Sequence, residues 1–189
     1  MQVFENDIEE CLKVLKNGGI ILYPTDTIWG IGCDATNEKA VRKIYRLKKR
    51  LDKRTMIILV ANESDVLQYV NQPGRSLFDY LQQSIKPTTV IYKYAGGLAE
   101  SLVAKDGTIA IRISKESFCS SLIEDFGKPI VSTSANISGK KAPMTFSEIS
   151  DEIKKGVDYI VRYRQEDMVP SVPSTVIRWE NEQPVIIRS

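Results

Sequence analysis

Short apolar runs alternate along this chain with stretches whose apolar residues recur at helical spacing, and that alternation narrows the fold more than any other feature. Runs at 20–23, 56–60, 88–92, 129–131, 159–161 and 184–188, with Thr108–Ile113 and 174–179, are rich in β-formers and bounded by turn residues, which predicts strands. Ile8, Cys11, Leu12 and Leu15 share one face of a first helix, opened by Asn6 or Asp7 and stopped by Gly18-Gly19. Ala40, Ile44 and Leu47 define a second, capped by Thr36 or Asn37, running through Lys49 with its basic residues largely on the other face. Further helices are expected at 63–70 behind Asn62 or Ser64, at 76–84, at 117–125, and through Lys154 behind Thr145 or Ser147. Strands and helices interleave, so the class is α/β, and the many short strands argue against a regular doubly wound sheet. At 189 residues, with no internal repeat or linker, the expectation is one domain over residues 1–189.

The absence of histidine removes the most hypotheses about chemistry. Ser-His-Asp and Cys-His devices, a histidine general base and His-rich metal sites are excluded, leaving Lys, Arg, carboxylates, hydroxyls, backbone amides or a hard cation to do the work. Cys11, Cys33 and Cys119 are odd in number and far apart, which fits neither a disulfide framework nor zinc spacing; they read as reduced, semi-buried small residues. No stretch approaches a membrane span and the first residues are amphipathic, so the expected location is the cytoplasm.

Charge is balanced globally and unbalanced locally. Against 26 basic and 24 acidic residues overall, the segment 42–54 holds Arg42, Lys43, Arg46, Lys48, Lys49, Arg50, Lys53 and Arg54 with a single acid, Asp52. A helix C-terminus favours cations, but eight exceed what capping needs, so a phosphate or polyanion site stands beside the reading of a solvated face.

Two polar segments follow apolar runs. In 23–32, YPTDTIWGIG, the hydroxyls and carboxylate of Thr25, Asp26 and Thr27 either face a ligand or form a turn before a second strand with Trp29 in the core. In 132–139, STSANISG, four hydroxyls and an amide form either a polar cradle for a nucleotide or carboxylate, or a turn that caps the next element. Arg112, inside an apolar strand, is either the partner of an internal carboxylate or a residue reaching into a pocket.

Taken in order, YPTDTIWGIG, Lys48-x-Arg50, TIAIR, STSANISG and PSTVI are similar to the motifs of the YrdC-like threonylcarbamoyl-AMP synthases, and the resemblance runs over essentially the whole chain. It implies a twisted mixed α/β sheet with a positively charged concave face, in the single-domain form. It also implies an ATP-dependent nucleotidyltransferase joining L-threonine, bicarbonate and ATP into threonylcarbamoyl-AMP with release of pyrophosphate. Partner proteins would use the product to modify an adenosine beside the anticodon of certain tRNAs.

Position by position, Lys48, Arg50, Ser134 and Asn136 resemble the catalytic group around the ATP phosphates and the carbamate. Thr27 and Ser132 resemble threonine contacts, and Arg112 the partner of the substrate carboxylate. Arg50, Arg54, Thr108, Ser134, Ser174 and Arg188 resemble nucleotide contacts, with Mg²⁺ expected on the triphosphate. Leu51, the Arg54-Thr55-Met56 run and Leu59 stand where the family commonly has Pro, Asn-Pro-Leu and His, and its Pro-Gly-Pro-Leu-Thr segment appears only as Lys86-Pro-Thr-Thr-Val90. Two competing readings are an RNA-binding module holding tRNA or double-stranded RNA through residues 42–54, and a paralogue acting on another acyl-adenylate. A net charge of +2 and a pI near 8.3 lie below the profile of a dedicated nucleic-acid binder.

Overall fold

The computed structural model describes residues 4–50, 56–71, 73–168 and 173–189. The expectations attached to Leu51, Lys53, Arg54 and Thr55 lie outside the described residues. The strands are β1 Ile21–Tyr23, β2 Gly30–Gly32, β3 Ile57–Val60, β4 Thr88–Lys93, β5 Thr108–Ile113, β6 Ile130–Ser134, β7 Tyr159–Ile160, β8 Thr175–Glu180 and β9 Gln183–Arg188. They form one mixed sheet in the order β7-β1-β2-β6-β3-β5-β4-β8-β9. The pairs β1–β7, β3–β5 and β4–β8 are parallel and the others antiparallel. The helices are α1 Glu5–Lys16, α2 Glu38–Leu47, α3 Glu63–Leu67, α4 Arg75–Gln83, α5 Ser117–Phe126 and α6 Asp151–Lys155.

Because side chains alternate along a strand, the central strands present two different surfaces. Leu22, Ile58, Val60, Val90, Ile111, Val131 and Ile177 point to one face, where they pack with Ala40, Val41 and Ile44 of α2 and Leu77 and Phe78 of α4. Ile21, Tyr23, Leu59 and Ile130 point to the other, against Ile8, Cys11 and Leu15 of α1 and Phe118, Leu122 and Ile123 of α5. The pair α1 and α5 covers only the β7-β1-β6-β3 side of that second face. Toward β5, β4, β8 and β9 the same face lines an open cavity. Close approach inside the sheet fixes Gly32, where a Cβ would lie 2.6 Å from both the Tyr23 ring and the Val131 carbonyl oxygen.

Most elements lie where the sequence places them, and the differences have identifiable causes. Neither Asn6 nor Asp7 caps α1: its N-cap is Phe4, without a side-chain bond. Asp7 is instead buried and accepts hydrogen bonds from Tyr159 Oη and the backbone N–H groups of Arg162 and Tyr163, tying α1 to β7. Asn37 does cap α2, accepting from Lys39 N and Ala40 N. That helix stops at Leu47 because Lys49 turns left-handed, φ 50°, with Lys49 N on Arg46 O and Arg50 N on Tyr45 O, a Schellman closure built without glycine. The expected helix through Lys154 is a 3₁₀ turn, Phe146–Glu148, followed by the separate α6. All three cysteines are free and fully buried rather than semi-buried, and desolvation raises each thiol pKa. None of the described helices is long and apolar enough to cross a membrane.

Asp7→Ala strands three partly buried donors, and a loss of about 2 kcal/mol in unfolding free energy is expected. Urea unfolding checks it: the midpoint should fall with little change in slope.

Candidate active site

The cavity over the uncovered half of the sheet has a volume of about 600 Å³. Its floor follows from strand alternation: Thr89 and Ile91 of β4, Thr108, Ala110 and Arg112 of β5 and Val176 of β8 are the residues between those that fill the core. Its walls are Thr27, Trp29 and Gly30 on one side, Arg50 with Ser132 and Ser134 on another, and Ser174 with Arg188 on a third. Of the residues anticipated from sequence, Thr27, Arg50, Thr108, Arg112, Ser132, Ser134, Ser174 and Arg188 meet here. Three arginines and no carboxylate stand among the described lining residues.

Lys48 and Asn136 are not among the lining residues. Lys48 is 2% exposed, and its ammonium donates to the backbone carbonyls of Ser134 and Asn136 at 2.5 and 2.7 Å. Lys48 therefore lies behind the cavity wall, with its side-chain nitrogen held by two main-chain carbonyls. Asn136 Oδ1 accepts from Ser134 Oγ at 2.5 Å, Asn136 Nδ2 donates to the carbonyls of Ile137 and Lys140, and Ser138 N donates to Lys48 O. Of the two readings of 132–139, the turn does not cap the next element, whose N-cap is Thr145, and Ser132 and Ser134 line the cavity. Ser132 and Ser134 belong to β6, and the turn after them is folded onto Lys48.

The segment after β1 is similarly held. Thr25 Oγ1 donates to Ile28 O and accepts from Thr27 N, Cys119 Sγ donates to Pro24 O, and Arg164 Nη1 donates to Thr25 O. Both readings of this segment hold in part: 24–29 is a loop, Gly30–Gly32 is a strand, and Trp29 is buried against Phe146 while also lining the cavity. Arg112 resolves in the same double way. It lines the cavity and also contacts Asp26, Nη2 to Oδ1 at 2.9 Å, with both side chains buried. The separation suits a hydrogen bond but the angle does not, and neither Asp26 oxygen nor Arg112 Nε or Nη2 has a hydrogen-bond partner.

At the far end, Thr89 Oγ1 and Ser174 Oγ are 2.8 Å apart, and Arg188 Nη2 donates to Ser174 O. Sequence reasoning passed over Thr89, although its alternation with Val90 and its pairing opposite Val176 are the signal that finds it. Among its described residues, the basic segment does not form one patch. Arg42 pairs with Glu38, Lys43 donates to Gly18 O, Lys49 pairs with Glu152, Lys48 is interior, and Arg50 lines the cavity.

An uncovered half-sheet beneath a cavity lined by three arginines and several hydroxyls marks an α/β protein with a site suited to an anion. Residues 13–189 match the Sua5/YciO/YrdC family model, described as "Telomere recombination". The chain belongs to this family. A Methanocaldococcus jannaschii protein, provisionally named a threonylcarbamoyl-AMP synthase, is 38% identical over 197 residues, covering 100% of this chain and 91% of its own length. The threonylcarbamoyl-AMP synthase of Saccharophagus degradans is 37% identical over 138 residues, 71% of each protein. E. coli YciO superposes with a TM-score of 0.82 at 25% identity, covering 97% of this chain and 88% of YciO. The fold also matches P. abyssi Sua5 complexed with L-threonine, TM-score 0.86 at 23% identity, and the chain spans 55% of that protein.

Burial, followed by the charge of Arg50, pulls the Lys48 pKa from its ordinary 10.5 down to about 7. A folded-state pKa below the unfolded one means that the unfolded chain binds more protons between those values, so stability rises with pH across that window. The melting temperature of the wild type, relative to Lys48→Met, should therefore climb from pH 7 toward pH 10 in buffered thermal scans. A constant difference would refute the assignment.

Proposed function

We propose that this protein synthesises L-threonylcarbamoyl-AMP from L-threonine, bicarbonate and ATP, releasing pyrophosphate. The observation that carries this reading is the convergence of three arginines and a ring of hydroxyls on one cavity whose described lining holds no carboxylate. The names of the relatives from M. jannaschii and S. degradans support it.

The reaction sets a carbamate oxygen against an α-phosphorus, bringing two anions together. Neutralisation and alignment therefore supply the catalysis, and a chain without histidine is equipped for both. Arg50 takes the phosphates, as a forked donor suited to paired oxygens, beside Ser134. Thr108, Ser174 and Arg188 hold the nucleoside end, and Arg112 receives the amino-acid carboxylate next to Thr27 and Ser132. Lys48 and Asn136 are positioning residues: they fix the turn that carries Ser134. No cluster of acids or thiols among the described residues is arranged to hold a metal ion. Mg²⁺, when bound, would be held by the triphosphate oxygens and would supply neutralisation of phosphate charge. The product passes to partner proteins that modify tRNA, which sets the enzyme in the cytoplasm.

Pyrophosphate release from ATP with Mg²⁺ and bicarbonate is expected to depend on L-threonine and to be far weaker with serine or glycine. Arg50→Ala should lower it by at least roughly tenfold. Release that ignores the amino acid would overturn the proposal. An RNA-binding role for residues 42–54 would instead show as tRNA retention that weakens steeply with salt while adenylate formation changes little.

A further inference from the structure

We infer that Asp26 and Arg112 act as a matched pair that recognises the amino-acid substrate as a zwitterion, Arg112 taking its α-carboxylate and Asp26 its α-ammonium. The inference rests on the reading of the cavity as a threonine site and assigns the second half of that site.

The other buried acids show how this fold treats a structural carboxylate. Asp7 accepts from a tyrosine hydroxyl and two backbone N–H groups. Asp34 accepts from the backbone N–H and hydroxyl of Thr36 and from Lys128 Nζ. Asp26 differs: it contacts one guanidinium nitrogen at 2.9 Å, and both of its oxygens lack a directed hydrogen bond. Its partner is equally underused, with Arg112 Nε and Nη2 unbonded. Charge is balanced within the pair while its directional capacity stays open, and buried groups in that condition call for an explanation.

An α-amino acid fills that capacity. Its carboxylate and ammonium are separated by one carbon, so they lie side by side as the guanidinium and carboxylate do here. Docking exchanges one Arg–Asp contact for two crossed contacts of opposite charge and leaves the net charge of the site unchanged. Arg112 reaches the substrate from the cavity floor. Asp26 sits on the loop beside Thr27, which lines the first cavity, and itself lines a second cavity of about 730 Å³ with Asn62, Ile113 and Glu116. That space lets the carboxylate draw back from Nη2 as the ammonium enters. The loop itself is held on both sides of Asp26, through Thr25 O on Arg164 and Thr25 Oγ1 on Ile28 O, so movement is confined to the side chain. A site of this kind rejects ligands carrying only one of the two charges.

Equilibrium binding to the full chain tests this with three probes: L-threonine, L-threoninamide, which lacks the carboxylate, and 2,3-dihydroxybutanoate, in which a hydroxyl replaces the ammonium. The wild type should favour threonine over either analogue by about 30-fold or more. Asp26→Asn should bring threonine and dihydroxybutanoate within about threefold of each other while threonine stays ahead of its amide. The double variant Asp26→Asn/Arg112→Gln replaces the ion pair by a neutral pair, guards against a misfolded single variant, and should lose both preferences at a near-native melting temperature. If either variant keeps the wild-type ratio of threonine to dihydroxybutanoate, Asp26 merely places Arg112 and the inference falls alone. A wild type that binds no α-amino acid overturns this inference and the threonine reading together.

Discussion

A strand places successive side chains on opposite faces, and β4, β5 and β8 use that two-residue period to keep an apolar core and a polar cavity one sheet thickness apart. Val90, Ile109, Ile111 and Ile177 are buried on one side, while Thr89, Thr108, Arg112 and Val176 meet the cavity on the other. A slip of one residue in β5 would put Arg112 into the core and an isoleucine into the cavity. The ladder therefore sets the chemistry, and the parallel and antiparallel pairings that look irregular as topology hold one register across the site.

What the sheet cannot supply comes from chain segments leaving its strands and helices, and each is fixed by interior bonds. The left-handed turn at Lys49 ends α2 so that consecutive residues diverge: Lys48 is buried under the Ser134 turn and Arg50 reaches the cavity wall. A non-glycine residue in that region costs about 1 kcal/mol, offset here by the two carbonyls the closure satisfies. Lys48 in turn donates from its side-chain nitrogen to the carbonyls of Ser134 and Asn136. Local strain, a buried cation and a polar turn are thus one arrangement.

The element pattern was legible in the sequence because period and turn chemistry agree along most of the chain. Thr108–Ile113 matches its strand at both ends, and Asn37 caps the helix assigned to it. The failures have a common origin in long-range partners. Asp7 reads as a cap until β7 and the residues after it, more than 150 positions away, supply its donors. The basic segment reads as one patch because sequence cannot say that Lys49 meets Glu152 or that Lys48 turns inward. Arg112 could be flagged as anomalous from its neighbours alone. Its partner could not, since nothing in a linear reading joins Asp26, ahead of β2, to β5.

The division of labour among the cations follows from solvation. A guanidinium is weakly hydrated and presents a planar fork, whereas a lysine taken out of water needs acceptors at once and finds them here in main-chain carbonyls. Arg50 and Arg188 stand at the wall and Lys48 behind it. Arg112 is the exception, buried like a structural residue yet bonded like neither kind, and its carboxylate neighbour shares that condition. A ligand bearing both charges would satisfy the pair without leaving an uncompensated charge inside the protein, and on that ground the amino-acid end of the cavity is proposed there.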